Sequence, residues 1–347
     1  MTTTATVRVM TPEEIAAKAG GETPFVLAPQ RATVFATRAM RLRQLASGHA
    51  MADFLQFMAE LADAQQTQLN HFPAVPVPDA AAMDVAARFG QPPLPATDWP
   101  RDPAWHGVLK ALVAELRPRA AEGTWPALDH LAQADEVYLE RQADALLAGL
   151  QPGSEPLALA CAPIVAAALQ VYWAHMVLEV QRMQAAPANL GNHASVWART
   201  DDETACPCCG SRPTASITRS GGESLGQRYL HCSLCSTQWH MVRIKCSHCR
   251  TAQGLAYLAL DAAGEVADDA AADGGRRAAQ ATLQAETCEA CGHYLKIMHT
   301  DRDAEVEPVA DDLASLTLDL LVADTGLKKH GVNLMLLFGE PPPDDPP

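Results

Sequence analysis

Eight of the ten cysteines form four Cys-x-x-Cys pairs: Cys206/Cys209, Cys232/Cys235, Cys246/Cys249 and Cys288/Cys291. A two-residue gap lets both sulfurs of a tight turn point at one ion, and two such turns complete a tetrahedral four-thiolate site. Four turns make two sites. The chemistry indicated is therefore two bound metal ions, iron or zinc, since both accept four thiolates in a tetrahedron. Between Cys209 and Cys232 lie 22 residues, and between Cys249 and Cys288 lie 38, whereas only ten join Cys235 to Cys246. This suits two successive ribbons linked by one strand. A crossed arrangement, first pair with third and second with fourth, stays open. Gly210 and Gly292 follow the first and last pairs, where a positive φ would turn backbone amides toward the sulfurs.

The other candidate groups have plainer roles. Cys208, inside the first pair, reads as a spectator thiol, and Cys161, on an apolar stretch, as a core residue. His231, His240, His248, His293 and His299 stand in or beside the cysteine region; with four thiolates per ion already counted, they read as supporting or surface groups. Tyr229, Trp239, Tyr257 and Tyr294 read as packing residues of a small module or as a partner-binding face. No catalytic or cofactor-binding residue is indicated, because the chain carries no P-loop, no dinucleotide-binding glycine run and no nucleophile elbow. A thiol-redox role for Cys-x-x-Cys is disfavoured by four copies without a βαβ context.

The elements that must position these cysteines change character along the chain. Residues 1–195 form an all-helical domain. Thr11-Pro12-Glu13-Glu14 is a helix start, and helices are expected over Thr33–Ala46, Met51–Leu69, Ala80–Phe89, Trp105–Leu116, Ala127–Leu150 and Ala158–Gln184. Residues 196–300 hold the tandem metal modules, with strands over Gln227–Leu230, Gln238–Ile244, Gly254–Leu260 and Tyr294–His299. Asp261–Gln280, rich in Ala, Asp and Gly, is a surface excursion. In 301–347 a helix over Val309–Val322 is followed by an apolar stretch, Val332–Phe338, that docks on the body, and by an acidic, proline-rich tail. The fold class is α+β: a helical domain, two tandem rubredoxin-like or zinc-ribbon modules, and a short C-terminal helix.

Charge is unevenly spread. The net charge of −15 divides into −8 over 1–205 (14 basic, 22 acidic), +1 over 206–300 (9 basic, 8 acidic) and −8 over 301–347 (3 basic, 11 acidic). Acidic flanks favour cationic partners and argue against nucleic acid. Leu157–Val180 is apolar but interrupted by Pro163, Gln170, His175 and Glu179, which reads as a core helix and not a membrane span. Met1–Glu14 lacks the basic start and apolar run of a secretory signal, and paired thiols suit a reducing compartment, so a cytoplasmic location is expected.

The cysteine text resembles a known family, the bacterial formate dehydrogenase accessory proteins, FdhE. The resemblance rests on Cys206-Pro-Cys-Cys-Gly-Ser211, Arg228-Tyr-Leu-His-Cys-Ser-Leu-Cys235 and Gln238-Trp-His-Met-Val-Arg-Ile-Lys-Cys246. Cys288-Glu-Ala-Cys-Gly-His-Tyr-Leu-Lys-Ile297 and Ala310-Asp-Asp-Leu-Ala-Ser-Leu316 complete it, and Ala168-Leu-Gln-Val-Tyr-Trp173 looks similar upstream. The 261–280 insertion and the ending Gly331–Phe338 depart from the family pattern. The resemblance implies two rubredoxin-like sites on the eight paired cysteines. It also implies a cytoplasmic, non-enzymatic protein acting in assembly or quality control of respiratory formate dehydrogenase. The partner so implied is the catalytic subunit of that enzyme before its twin-arginine export; the acidic flanks are compatible with its cationic, apolar export signal as the contact. Two other functions stay open. One is rubredoxin-like electron transfer. The other is a zinc-ribbon nucleic-acid binder, since the module without 261–280 has 7 basic and 3 acidic side chains.

Overall fold

A computed structural model of the chain describes residues 23–148, 157–184, 197–219, 226–260, 266–268 and 280–336. After a two-residue strand, β1 (Val26–Leu27), the N-terminal part is helical: α1 (Val34–Ala46), α2 (Ala52–Asn70), α3 (Ala80–Arg88), α4 (Ala104–Leu116), α5 (Trp125–Gln133), α6 (Glu136–Ala148) and α7 (Ala162–Gln184). Phe35, Ala39, Leu42 and Ala46 recur at helical spacing and make the buried stripe of α1. On α2 the stripe is Leu55, Met58, Ala62 and Leu69. The sequence predicts one helix over Ala127–Leu150, but the chain breaks at Ala134–Asp135. There the Asp135 carboxylate accepts from the Tyr138 amide at 2.7 Å and starts α6 afresh.

Helix α7 is apolar over most of its length and packs against α2, α4 and α6, with Glu179 and Arg182 near its C-terminal end. Residues Ala162–Met183 are long and apolar enough to cross a membrane, yet 83% of their most apolar window is buried inside the protein. A span needs its apolar surface free for lipid, so burial on that scale identifies a core helix. The predicted start at Thr11 and the residue Leu150 lie outside the described residues.

The C-terminal part is built on one sheet. Its strands are β2 (Pro213–Thr218), β3 (Arg228–Cys232), β4 (Gln238–His240), β5 (Leu255–Leu260), β6 (Val266–Asp268), β7 (Leu283–Cys288), β8 (His293–His299) and β9 (Lys328–Lys329). Their order is β1-β4-β3-β2-β8-β7-β5-β6, with β9 beside the start of β8. The first ribbon, β2-β3-β4, and the second, β5-β7-β8, are each antiparallel. They join edge to edge through parallel pairing of β2 with β8, Ser216 opposite Ile297. The strand expected over Gln238–Ile244 stops at His240. The Arg228 guanidinium donates to the Val242 and Lys245 carbonyls (3.2 and 2.7 Å) and draws the chain out of the sheet. Within 261–280, Val266–Asp268 forms β6 against β5.

The helix expected over Val309–Val322 is two, α8 (Pro308–Ala314) and α9 (Leu316–Ala323). The cause is Lys296, which is fully buried. Its ammonium donates to the Asp312 and Ser315 carbonyls, both at 3.0 Å, and so caps the end of α8. Asp312 and Asp319 supply its counter-charge at 3.2 and 2.6 Å. Of the apolar stretch Val332–Phe338, Leu334 and Met335 are buried in the main core, and residues beyond Leu336 lie outside the described set.

Candidate metal centres

Each Cys-x-x-Cys turn is one copy of the same small loop. In the first, the Gly210 amide donates to the Cys206 carbonyl (2.8 Å) and the Cys206 amide to the Ser211 carbonyl (3.0 Å). The third repeats it through Arg250 to Cys246 (3.0 Å) and Cys246 to Thr251 (2.8 Å). The residue after the second cysteine has a positive φ in all four loops: Gly210 at 74°, Ser236 at 58°, Arg250 at 65° and Gly292 at 68°. Glycine adopts this conformation at no steric cost; serine and arginine do not. Among the described residues Ser236 and Arg250 are the only non-glycines with positive φ. The loops aim amides at sulfur. Leu234 and Cys235 donate to Cys232 Sγ, each at 3.4 Å, and His248 donates to Cys246 Sγ at 3.3 Å.

The sulfurs gather as two groups, Cys206/Cys209/Cys232/Cys235 and Cys246/Cys249/Cys288/Cys291, each with all four atoms within 4.8 Å of one another. The successive arrangement is therefore the one adopted, not the crossed one. In the first group the Cys206–Cys235, Cys209–Cys232 and Cys209–Cys235 separations are 3.6, 3.4 and 3.7 Å. In the second, Cys246–Cys291 and Cys249–Cys288 are 3.9 and 3.8 Å apart. A tetrahedron with metal–sulfur bonds of about 2.3 Å has edges of about 3.8 Å. A disulfide would need about 2.05 Å. The donor sets fit a tetrahedral ion, and both clusters could hold one.

Their surroundings differ sharply. In the first, hereafter the inner cluster, all four cysteines are buried and share one apolar core with the helices. The 90–96 segment lies on it, Leu94 and Ala96 donating to the Cys208 and Cys209 carbonyls at 3.0 and 2.9 Å. From α7, Gln170 donates to the Ser233 carbonyl at 2.7 Å while accepting from Gln65 of α2 at 3.0 Å. From α1, Arg38 reaches the Ser236 hydroxyl at 3.3 Å and Glu307 at 3.1 Å. In the outer cluster Cys249 is exposed and Cys291 half-exposed.

Burial pushes the Cys206 and Cys232 thiols well above the ordinary thiol value. Burial also opposes ionisation of Cys235, but hydrogen bonds from the neighbouring thiols outweigh it and hold that group well below the ordinary value. Four thiolates together thus require a cation to offset their charge.

The remaining candidates find mostly structural places. Cys208 is buried beside the inner cluster, and the Cys161 thiol lies 3.8 Å from the Ala127 carbonyl in the helical core. His299 is buried between Gln284 (2.7 Å) and Thr218 (3.1 Å), and His240 meets Gln227 at 2.9 Å. Trp239 donates to the Glu203 carbonyl at 3.0 Å, and Tyr294 to Asp319 at 3.0 Å. Sequence patterns gave no role to Arg228 or Glu286. Both are buried, and their ion pair ties β3 of the first ribbon to β7 of the second. Tyr257 adds its hydroxyl to Glu286 at 3.3 Å.

A helical domain fused to a sheet with two tetracysteine clusters defines a class, the tandem metal-ribbon protein with a helical partner domain. Sequence profiles of the FdhE N-terminal, central and C-terminal domains match residues 23–189, 205–243 and 244–336. The chain belongs to the FdhE family. An FdhE homologue of Edwardsiella ictaluri is 38% identical over 340 residues, covering 96% of this chain and 99% of that protein. One from Pseudomonas aeruginosa is 38% identical over 316 residues, covering 91% and 94%. The crystal structure of the FdhE protein from Pseudomonas aeruginosa superposes with a TM-score of 0.74 at 37% identity, covering 91% of this chain and all of that one.

Proposed function

We propose that the chain is an accessory protein of respiratory formate dehydrogenase. It holds the catalytic subunit in the cytoplasm during assembly or quality control, before twin-arginine export. The observation that carries this role is the match to all three FdhE domains, in order, along one chain. Cys206, Cys209, Cys232 and Cys235 hold one ion of iron or zinc, and Cys246, Cys249, Cys288 and Cys291 the other. The protein acts by binding: four thiolates fill a tetrahedral ion's coordination and leave no position for a substrate. In this role residues 1–195, 196–300 and 301–347 serve as the helical body, the metal modules and the clasp between them.

An apolar cleft of about 830 Å³ between α2, α5, α7 and the C-terminal segment supports a binding role. Phe54, Phe57, Leu128, Leu159, Ile164 and Leu336 line it; Glu60 at its rim is paired with Arg119 and Arg43, and Asp53 lies alongside. The apolar walls suit an apolar segment, and Asp53 together with the net charge of −15 favours one that carries positive charge, as an export signal does.

Anaerobic titration with the catalytic subunit, with and without its twin-arginine signal, tests this. Micromolar or tighter binding is expected, weakened when the signal is removed. No binding to either form would sink the role. A second role, rubredoxin-like electron transfer, is favoured by the exposed Cys249 at the outer cluster. Iron with a reversible couple would support it, and zinc in both clusters would remove it.

A further inference from the structure

His248 lies inside the third knuckle, between Cys246 and Cys249, and His293 comes two residues after Cys291. The two knuckles face each other across the outer cluster, so the imidazoles meet. Their rings stack with centroids 4.0 Å apart and planes 15° from parallel. A nitrogen of each ring and Cys291 Sγ all lie within 4.8 Å of one another, and all three residues are partly exposed. The inner cluster has no such pair among the described residues.

The nitrogens are arranged as donors. His293 Nδ1 stands 2.7 Å from the Cys291 carbonyl. That oxygen only accepts, so Nδ1 carries the hydrogen and Nε2 keeps its lone pair. His248 Nδ1 is buried with no hydrogen-bond partner. Behind it His330, bonded to the Ser247 hydroxyl at 2.9 Å, packs with its ring centroid 5.2 Å away. A divalent ion with four thiolates carries two net negative charges, which attract a second cation to the cluster's exposed side. A thiolate sulfur has lone pairs left for a second ion.

We propose that His248, His293 and Cys291 form a third metal site, for a borderline-soft divalent cation such as zinc. The Cys291 thiolate bridges to the ion of the outer cluster. Two imidazoles and one thiolate are a donor set matched to zinc, and the fourth position is left to solvent or an external ligand. His293 is held by its carbonyl bond, so His248 makes the adjustment: a turn about its Cβ–Cγ bond, a soft torsion, brings the two lone pairs together. With three protein donors, one of them shared, the site binds more weakly than either tetracysteine cluster.

The test is a zinc titration of the untagged, reduced, full-length chain against a chromophoric chelator. Two tight equivalents and a weaker third are expected. The double variant His248→Ala/His293→Ala should keep the two tight equivalents and lose the third. Saturation at two in the unsubstituted chain would overturn the site, as would a third equivalent that survives the double substitution. Should that variant fail to fold, cadmium NMR of the unsubstituted chain decides. A third resonance coupled to one from the outer cluster supports the shared thiolate; two resonances, or an uncoupled third, overturn it.

Discussion

The inner and outer clusters are chemically the same four thiolates on the same two loops, yet they sit in opposite surroundings. The inner one is a piece of the helical core, with Cys206, Cys209, Cys232 and Cys235 packed among side chains of the helices. The outer one stands at the same end of the sheet, where β7 turns into β8, but with Cys249 exposed. An ion that joins two domains into one core is coupled to the stability of both. An ion at a sheet's rim is coupled to one ribbon and remains open to exchange. Identical donor sets therefore suit different ends.

The sharpest test of that contrast is paired substitution. Cys232→Ser/Cys235→Ser should release one ion and destabilise the helices with the ribbon, because structural zinc sites contribute on the order of 10 kcal/mol in small domains. Cys246→Ser/Cys288→Ser should also release one ion but leave the helical circular-dichroism melt close to that of the parent. Equal melts for the two variants would break the comparison. Next in size is Arg228→Met, which leaves the Glu286 carboxylate buried between the ribbons without a counter-charge, with the Tyr257 hydroxyl as its remaining donor. A loss of about 3–5 kcal/mol in denaturant unfolding is expected.

Gln170→Leu removes the bond from α7 to the second inner loop, leaves the buried Ser233 carbonyl without that donor and takes one of the two acceptors from Gln65; roughly 1–3 kcal/mol should be lost. Exchange should separate the clusters without any substitution. Under a chelator, or as pH falls and protons compete for the thiolates, the outer ion should leave first, giving two phases in metal release. A single phase would contradict the difference in access. The smallest effect concerns the loops themselves. Arg250→Gly relieves a strained φ of 65° and should stabilise the outer ribbon by up to about 1 kcal/mol, while Gly210→Ala should cost about 1–2.

Much of this was legible in the residues, and the rest was hidden for physical reasons. Spacing alone grouped the eight cysteines and favoured the successive pairing, because two-residue gaps and a ten-residue link leave few arrangements. Spacing could not tell which cluster would be buried. That depends on contacts far away in the chain, Leu94 on Cys208 and Gln170 on Ser233. Glycine marked the first and last loops, but Ser236 and Arg250 take the same conformation without that mark. Strand β2, Pro213–Thr218, escaped notice because it is buried on both faces and its Thr and Ser side chains bond to neighbouring carbonyls, so no alternation appears. The break between α8 and α9 is imposed by Lys296, a residue of another element altogether.

The parallel pairing of β2 with β8 also sets an order of events during synthesis. Thr218 and His299, opposite one another, are 81 residues apart, and Arg38 waits 269 residues for Glu307. The ribosome releases all ligands of the inner cluster by Cys235, long before Cys291 completes the outer one. The inner site can thus take its ion while the outer half is still being made, and the nascent ribbon then presents β2 as an open edge. Long-range closure of this kind is slow, since chain entropy opposes it until the contacts form. Early metal delivery orders the first ribbon, and the arrival of β8 is what covers that edge.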